Sequence, residues 1–136
     1  EVITLAGIVY EETDNEAEMP KVAGMYINRL HLNMPLQADP TIKFATKNFT
    51  AHRIYQKWLT VDSPYNTYKY RGLPPGPIRI PSIAAINAVL NYVHHEYIYM
   101  CAKEDFSCTH NFAKTYEEHQ FNAAKYAKAL NEHGIN

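Results

Sequence analysis

The stretch EYIYMCAKEDFSCTHNFA, residues 96–113, decides the fold class of this chain. Its two ends are short runs rich in aromatic and apolar residues, which are typical of strands, and a polar segment separates them. We therefore predict an antiparallel hairpin, with its turn between Glu104 and Asp105. In that register Cys101 lies directly opposite Cys108, close enough for a disulfide, whereas a bulge or another register would separate the two thiols.

Helical patterns flank this hairpin on both sides. The Asp39-Pro40 pair is typical of a helix start with Asp39 as N-cap, and residues 50–60 can hold a short helix. Residues 63–82, SPYNTYKYRGLPPGPIRIPS, contain too much proline for a regular element, and their tyrosines favour an ordered loop. We predict an α+β fold, in which helices pack around a small antiparallel sheet and the long proline-rich loop borders a cleft. Apolar periodicity places the remaining helices at residues 5–12, 20–30, 82–90 and 115–132.

Length and composition indicate one domain that spans residues 1–136, with 46% hydrophobic residues. The formal net charge of −1 argues against nucleic acid as a partner and leaves sugars, small molecules and proteins. No stretch approaches the roughly 20 apolar residues of a membrane span, and no signal-peptide pattern is visible. Because the chain starts at Glu1 rather than Met, we expect it to be part of a longer protein.

The first predicted helix carries two adjacent glutamates, which point in different directions. On a helical wheel Leu5, Ile8 and Val9 define the apolar face. Glu12 follows Ile8 by four residues and Val9 by three, so it falls on this face, whereas Glu11 turns toward solvent. An inward carboxylate loses hydration, which raises its pKa and keeps the proton that a general acid must carry.

Structural interpretations of Glu12 compete with this chemical one. The carboxylate can pair with Arg29 or Lys21, or it can end the helix and reach water, and spacing alone favours these alternatives because buried glutamates are usually paired. Residues 13–15, Thr-Asp-Asn, suit a helix end. We therefore expect Glu12 to border a cleft rather than to lie deep in the core.

Four blocks, in order and covering most of the chain, resemble the catalytic domain of the YceG-like family, the MltG-type endolytic murein transglycosylases. The YNTY and GLPPGPI motifs within the third block are long and unusual, which makes chance similarity a poor explanation. Two residues depart from the family pattern, Tyr10 where members often carry glutamate and Ala113 where they often carry serine. The blocks are LAGIVYEETDNEAEMPKVAGMYINRL, MPLQADPT, SPYNTYKYRGLPPGPI and HNFAKTYEEHQ.

The resemblance implies a peptidoglycan lyase that cleaves the β-1,4 bond between N-acetylmuramic acid and N-acetylglucosamine within glycan strands. The family's catalytic glutamate precedes a threonine, and that position here is Glu12. Because the C6 hydroxyl of the sugar closes a 1,6-anhydro ring, one glutamate can act first as acid and then as base, without the second carboxylate of most glycosidases. No cofactor is implied.

The resemblance also implies a location and partners. The parent protein would be anchored in the cytoplasmic membrane, with the catalytic domain on its outer, periplasmic or extracytoplasmic face. The anchor would lie in a segment absent from this chain. Besides the glycan strands, the cell-wall synthesis machinery would be a partner.

Motif positions further imply a set of substrate contacts, each with a structural alternative. Asp39 can instead cap a helix, Gln37 can brace its loop, and His110 can be a packed residue of the hairpin. The tyrosines and the asparagine of YNTY can pack within the loop without touching substrate. A metal site of His110 with His94 and His95 is rejected, since no close ligand spacing supports it. The implied contacts are Asn28, Arg29, Gln37, Asp39, Tyr65, Asn66, Tyr68 and His110.

Three rival functions remain at this point. A glycan-binding module without catalysis would use the same cleft. A water-using muramidase would recruit a second carboxylate such as Asp39. A pyridoxal-phosphate lyase is disfavoured, because no glycine-rich phosphate cradle occurs near a lysine.

Overall fold

Five α-helices and one two-stranded antiparallel sheet make up the computed structural model, which describes residues 1–50 and 54–134. A single 3₁₀ turn, Gln56–Trp58, lies between the third and fourth helices in the described part of the chain. The predicted α+β fold is therefore confirmed. The helices and strands are α1 (Val2–Glu12), α2 (Met19–His31), α3 (Asp39–Thr46), α4 (Ile83–Leu90), β1 (Tyr99–Ala102), β2 (His110–Ala113) and α5 (Tyr116–Glu132).

The core forms where α1, α2 and α4 pack on one another, while α5 covers the hairpin. Two glycines permit this close packing. A methyl group on Gly24 would lie 2.3 Å from the carbonyl oxygen of Val93, and one on Gly7 would lie 2.8 Å from that of Arg79. The segment after α4 is tied to α2 by the amide of Val93, which donates to the carbonyl of Pro20 (3.0 Å). This packing leaves the C-terminal end of α1 beside α2 and α3.

The helices lie where the periodicity predicts them, and local signals explain their ends. The side chain of Ser82 accepts a hydrogen bond from the amide of Ala85 and begins α4, and Thr115 begins α5 in the same way. The N-cap interpretation of Asp39 is wrong, because Ala38 occupies the cap of α3 and Asp39 is already helical. Of the short helix predicted at residues 50–60, only the 3₁₀ turn is found, and residues 51–53 lie outside the described residues.

The hairpin exists, but its register differs from the predicted one. Cys101 pairs with Asn111, and the turn spans seven residues rather than two. Phe106 and Cys108 adopt left-handed backbone conformations (φ 57° and 63°), which a wide turn accommodates and a strand does not. Cys108 therefore lies exposed in the turn and both cysteines are free, so the alternative in which another register separates the two thiols is the one found.

Residues 63–82 contain no helix or strand, as their proline content predicts. Within this loop Tyr68 reaches the neighbourhood of α3, where its hydroxyl donates to Asp39. Of the helices that the structure describes, none combines the length and the apolar character that crossing a membrane requires.

Candidate active site

A cavity of about 480 Å³ opens between the end of α1, the helices α2 and α3, and the hairpin with α5. Its walls mix carboxylates, basic groups and aromatic rings, which suits a polar ligand with apolar faces. Six of the residues singled out from the sequence lie in its wall: Glu12, Arg29, Gln37, Asp39, Tyr68 and His110.

Glu12 lies at the last turn of α1 and faces the cavity half-buried, as the helical wheel predicts. Burial raises its pKa from 4.5 to about 8, and the negative charge of Asp39 adds to this effect. The positive charge of Lys43 and a hydrogen bond with the Tyr26 hydroxyl act in the opposite direction. No ion pair with Glu12 occurs among residues 1–50 and 54–134, so neither predicted basic partner neutralises it.

Glu11, one residue earlier, points away from the core and pairs with Arg79 (2.6 Å between Oε1 and Nη1). Its neighbour Tyr10 lies under the same guanidinium. The helix therefore presents two adjacent carboxylates that both line the cavity in different settings: Glu11 is held by Arg79, whereas Glu12 forms no ion pair within the described residues. The pKa of Glu12, raised to about 8, suits proton donation at neutral pH.

Asp39 at the start of α3 supplies the second carboxylate of the cavity. The Tyr68 hydroxyl donates to its Oδ1 at 2.5 Å, which ties the proline-rich loop to α3. Loss of hydration raises the pKa of Asp39, while this hydrogen bond and the charge of Lys43 lower it. Burial and the charge of Asp39 in turn raise the pKa of Tyr68 far above its ordinary value. Tyr68 therefore stays protonated and remains a donor.

Arg29 is 5% exposed, and carbonyl oxygens hold it rather than carboxylates. Its Nε donates to the carbonyl of Ile98 (2.6 Å), and Nη1 donates to that of Pro35 (2.8 Å). The side-chain oxygen of Gln37 lies 3.5 Å from Nη1. The guanidinium makes no salt bridge to Glu12, so it does not favour loss of the proton from that carboxyl through an ion pair. It does bring a fixed positive charge to the cavity wall.

His110 at the start of β2 is held by Glu18, a residue that the sequence did not single out. Nδ1 of His110 lies 2.8 Å from Oε2 of Glu18, and the amide of His110 donates to Oε1 (2.7 Å). The hydroxyl of Thr13 donates to the same carboxylate (3.3 Å). Both side chains of the pair are 10% exposed. Because Nδ1 is engaged by Glu18, Nε2 is the ring nitrogen of His110 that can hydrogen-bond a ligand in the cavity.

His119, on α5, also lines the cavity. Its ring stacks on Tyr99, with 5.0 Å between ring centroids and 19° between planes. Burial lowers the pKa of His119, and the positive charge of Arg29 lowers it further, so the ring is neutral at physiological pH. Its buried Nδ1 has no hydrogen-bond partner in the described part of the chain.

Three of the residues implied to contact substrate lie outside this cavity wall. Asn66 is fully buried, its amide nitrogen donates to two loop carbonyls, and its side-chain oxygen accepts from two backbone amides. Asn28 donates to the carbonyls of His95 and Tyr97. Tyr65 packs its ring on Phe44 at 4.8 Å. The geometry assigns these side chains to bracing the loop, α2 and α3.

Other cavity residues were missed by sequence reasoning. Lys43 follows Asp39 by four residues, so helical spacing alone could have placed both side chains on one face of α3. Tyr26 lies on α2, and nothing in the sequence pattern relates it to Glu12. Glu18, which holds His110 but is not part of the cavity wall, gave no signal, because His110 lies 92 residues away.

In residues 1–50 and 54–134, no three histidine, cysteine, aspartate or glutamate side chains cluster in a way that could hold a metal ion.

Comparison with known proteins identifies the family. A model of the YceG-like family matches residues 1–125. The chain belongs to the YceG-like family. The resemblance noted in the four sequence blocks is thereby confirmed, and Glu12 with its following threonine stands in the matched region.

Two YceG-like relatives are named endolytic murein transglycosylase. The protein of Bacillus subtilis (strain 168) is 38% identical over 131 residues, which cover 96% of this chain and 36% of that relative. The protein of Streptococcus pneumoniae serotype 2 (strain D39) is 31% identical over 133 residues, which cover 95% of this chain and 24% of that relative. The chain thus spans about a third or less of the length of either relative.

A solved structure shares the fold of this YceG-like chain. The 2.6 Å crystal structure of a YceG-like protein from Listeria monocytogenes superimposes with a TM-score of 0.82 at 36% sequence identity. The match covers 88% of this chain and 38% of the other. The arrangement of helices and hairpin described above is therefore the fold of a larger protein's domain as well.

Proposed function

We propose that this chain is the catalytic domain of a peptidoglycan lytic transglycosylase, which cleaves the bond between N-acetylmuramic acid and N-acetylglucosamine inside glycan strands. The observation that carries the proposal is Glu12, a carboxyl with a pKa of about 8 that faces a cavity of about 480 Å³ and forms no ion pair within the described residues. The names of the relatives from Bacillus subtilis and Streptococcus pneumoniae support the substrate class.

Glu12 would perform both proton transfers. Protonated at neutral pH, it donates to the oxygen of the leaving N-acetylglucosamine, and the bond to C1 of N-acetylmuramic acid breaks. The resulting carboxylate then takes the proton of the C6 hydroxyl, whose oxygen bonds to C1 and closes the 1,6-anhydro ring. A pKa close to the working pH serves both steps, since the group must lose and regain the same proton.

The other cavity residues would stabilise and orient the sugar. The carboxylate of Asp39, held by Tyr68, offers negative charge near the cation-like C1 of the transition state. Nε2 of His110 and the amide of Gln37 can hydrogen-bond hydroxyl or acetamido groups. Arg29, fixed by backbone carbonyls, supplies positive charge without reaching Glu12 through an ion pair.

A water-using muramidase is the second candidate, because Asp39 places a second carboxylate in the same cavity. In that reaction Asp39 would support hydrolysis, and water rather than the C6 hydroxyl would add to C1. The products differ in mass by one water molecule. The same digestion therefore distinguishes the two reactions.

The test is digestion of purified, uncrosslinked glycan strands by the full-length protein, followed by mass spectrometry of the fragments. We expect anhydro-ended fragments from internal bonds, and loss of about 10³-fold or more in rate for Glu12→Gln, which keeps the shape of the side chain but cannot donate the proton. Glu11→Gln is the matched control and should keep most of the activity. Reducing-ended products would support the muramidase, and binding without any cleavage by the wild type would indicate a glycan-binding module.

We also propose where the reaction takes place. Peptidoglycan lies outside the cytoplasmic membrane, so the domain would act on the outer face of that membrane. The cell-wall synthesis machinery, which produces new glycan strands there, would be the partner that supplies substrate. Fractionation of cells expressing the tagged full-length protein would test the location.

A further inference from the structure

A second cavity, of about 330 Å³, opens beside the first. Glu11, Pro40 and Lys43 line both cavities, so the two share a wall. A ligand held over Glu12 can therefore extend into the second cavity without leaving the protein surface. The remaining wall of the second cavity is made by Phe44, Phe49, Ile78 and Arg79.

The charged residues that line the second cavity are Glu11, Lys43 and Arg79. Arg79 is paired with Glu11 at 2.6 Å, so these two charges largely cancel. Lys43 is half-buried on α3 and forms no ion pair within the described residues. Lys43 lines both cavities, which makes its ammonium group a suitable partner for an anionic group of a ligand.

The same cavity has an apolar side. Phe49 is 64% exposed, which is unusual for a phenylalanine that packs only within its own chain. Phe44 is fixed by its contact with Tyr65, and Ile78 adds aliphatic surface from the proline-rich loop. A ligand that fits this cavity therefore combines small apolar groups with a carboxylate, which is the composition of a short acidic peptide rather than of a sugar.

We propose that the second cavity binds the peptide stem of the substrate, with Lys43 holding a stem carboxylate and the phenylalanines contacting its methyl groups. This inference rests on the proposed function, because the stem is attached to the muramic acid whose glycosidic bond Glu12 would cleave. The shared wall then lets the enzyme read the stem at the sugar that reacts. Lys43 acts as a specificity-determining residue.

The test compares two forms of the same uncrosslinked glycan strands. One keeps the free carboxylates of its peptide stems, and in the other these carboxyls are converted to methylamides, which removes the charge and keeps the peptide. With the full-length wild type we expect kcat/KM to be about tenfold higher for the free carboxylates, the ratio that one charge-assisted hydrogen bond supplies. Lys43→Met should reduce this ratio to about one, and Lys43→Arg should retain most of it.

Lys47→Met is the matched control, because Lys47 follows α3 as an exposed residue and lines neither cavity. Loss of Lys43 also removes a charge that lowers the pKa of Glu12, but that effect acts equally on both substrates and cancels in the ratio. A wild-type ratio near one, or a ratio that Lys43→Met leaves unchanged, overturns the inference while the proposed function stands. Absence of cleavage products from both substrates refutes the proposed function and the inference together.

Discussion

The difference in free energy of unfolding between Glu12→Gln and the wild type should shift in favour of the variant as the pH rises from acidic to neutral. The pKa of Glu12 is raised from 4.5 to about 8, because burial disfavours its charged form. The folded chain therefore keeps a proton that the unfolded chain loses. The stability that this proton confers is fully present below pH 4.5 and is lost as the pH rises toward 8.

Linkage gives the size of the effect. With these two pKa values the wild type loses about 0.8 kcal/mol at pH 5 and about 3.4 kcal/mol at pH 7. Glutamine has no such proton, so the stability difference between the variant and the wild type should grow by about 2.5 kcal/mol between these two pH values. Because Glu12 is half-buried and water reaches the cavity, we expect a change between about 1 and 2.5 kcal/mol.

The assay is urea unfolding of both proteins at several pH values from 5 to 8, monitored by circular dichroism. Glu11→Gln is the control, since it removes a neighbouring carboxylate that faces solvent and pairs with Arg79. We expect the control to change the free energy of unfolding by less than about 1 kcal/mol. If the difference between Glu12→Gln and the wild type does not vary with pH, the carboxyl does not titrate as a buried acid and the catalytic argument fails.

Three further predictions concern packing and polar contacts. Gly24→Ala should lower the free energy of unfolding by about 1–3 kcal/mol, because its methyl group would lie 2.3 Å from the Val93 carbonyl oxygen. Asn66→Ala should cost about 1–3 kcal/mol in the same urea assay, because the buried Asn66 amide donates to the carbonyls of Leu59 and Val61 and the variant removes both bonds. In the wild type the hydrogen bond from Tyr68 lowers the pKa of Asp39, so Tyr68→Phe should raise that pKa. NMR titration of the Asp39 carboxyl carbon measures the change.

Each of these variants has a matched control. Gly76→Ala meets only the hydroxyl of Tyr65 at 3.4 Å and should be tolerated. Asn91→Ala removes an exposed amide and should have little effect on unfolding. Tyr70 lies in the same loop as Tyr68 and donates a comparable hydrogen bond to Asp62. Tyr70→Phe breaks that bond and should leave the pKa of Asp39 unchanged. Equal effects of a variant and its control would contradict the structural reason given for that variant.

Local patterns predict the helices well, because local interactions form them. The direction of Glu12 follows from its spacing to Ile8 and Val9, and the ends of α4 and α5 follow from Ser82 and Thr115, whose side chains satisfy the first backbone amides. Such features depend on residues within a few positions of one another. They can be worked out before any tertiary structure is known.

The hairpin register could not be obtained in this way. The choice between a two-residue turn and a seven-residue turn depends on whether Phe106 and Cys108 adopt left-handed backbone conformations, and neither residue favours these conformations by itself. The register also depends on packing of the strands against α5. A shift of the turn moved Cys101 from the neighbourhood of Cys108 to that of Asn111.

The sequence by itself determined the helices, the presence of a hairpin and the glutamate that turns inward. Tertiary structure alone decided which polar residues meet it. Glu18 and His110 are 92 residues apart, and the buried Asn66 satisfies its own loop instead of a ligand. The physical reason is that a polar side chain takes whichever partner the packed chain brings near, since leaving it unpaired costs free energy, and packing over long separations leaves no periodic trace in the sequence.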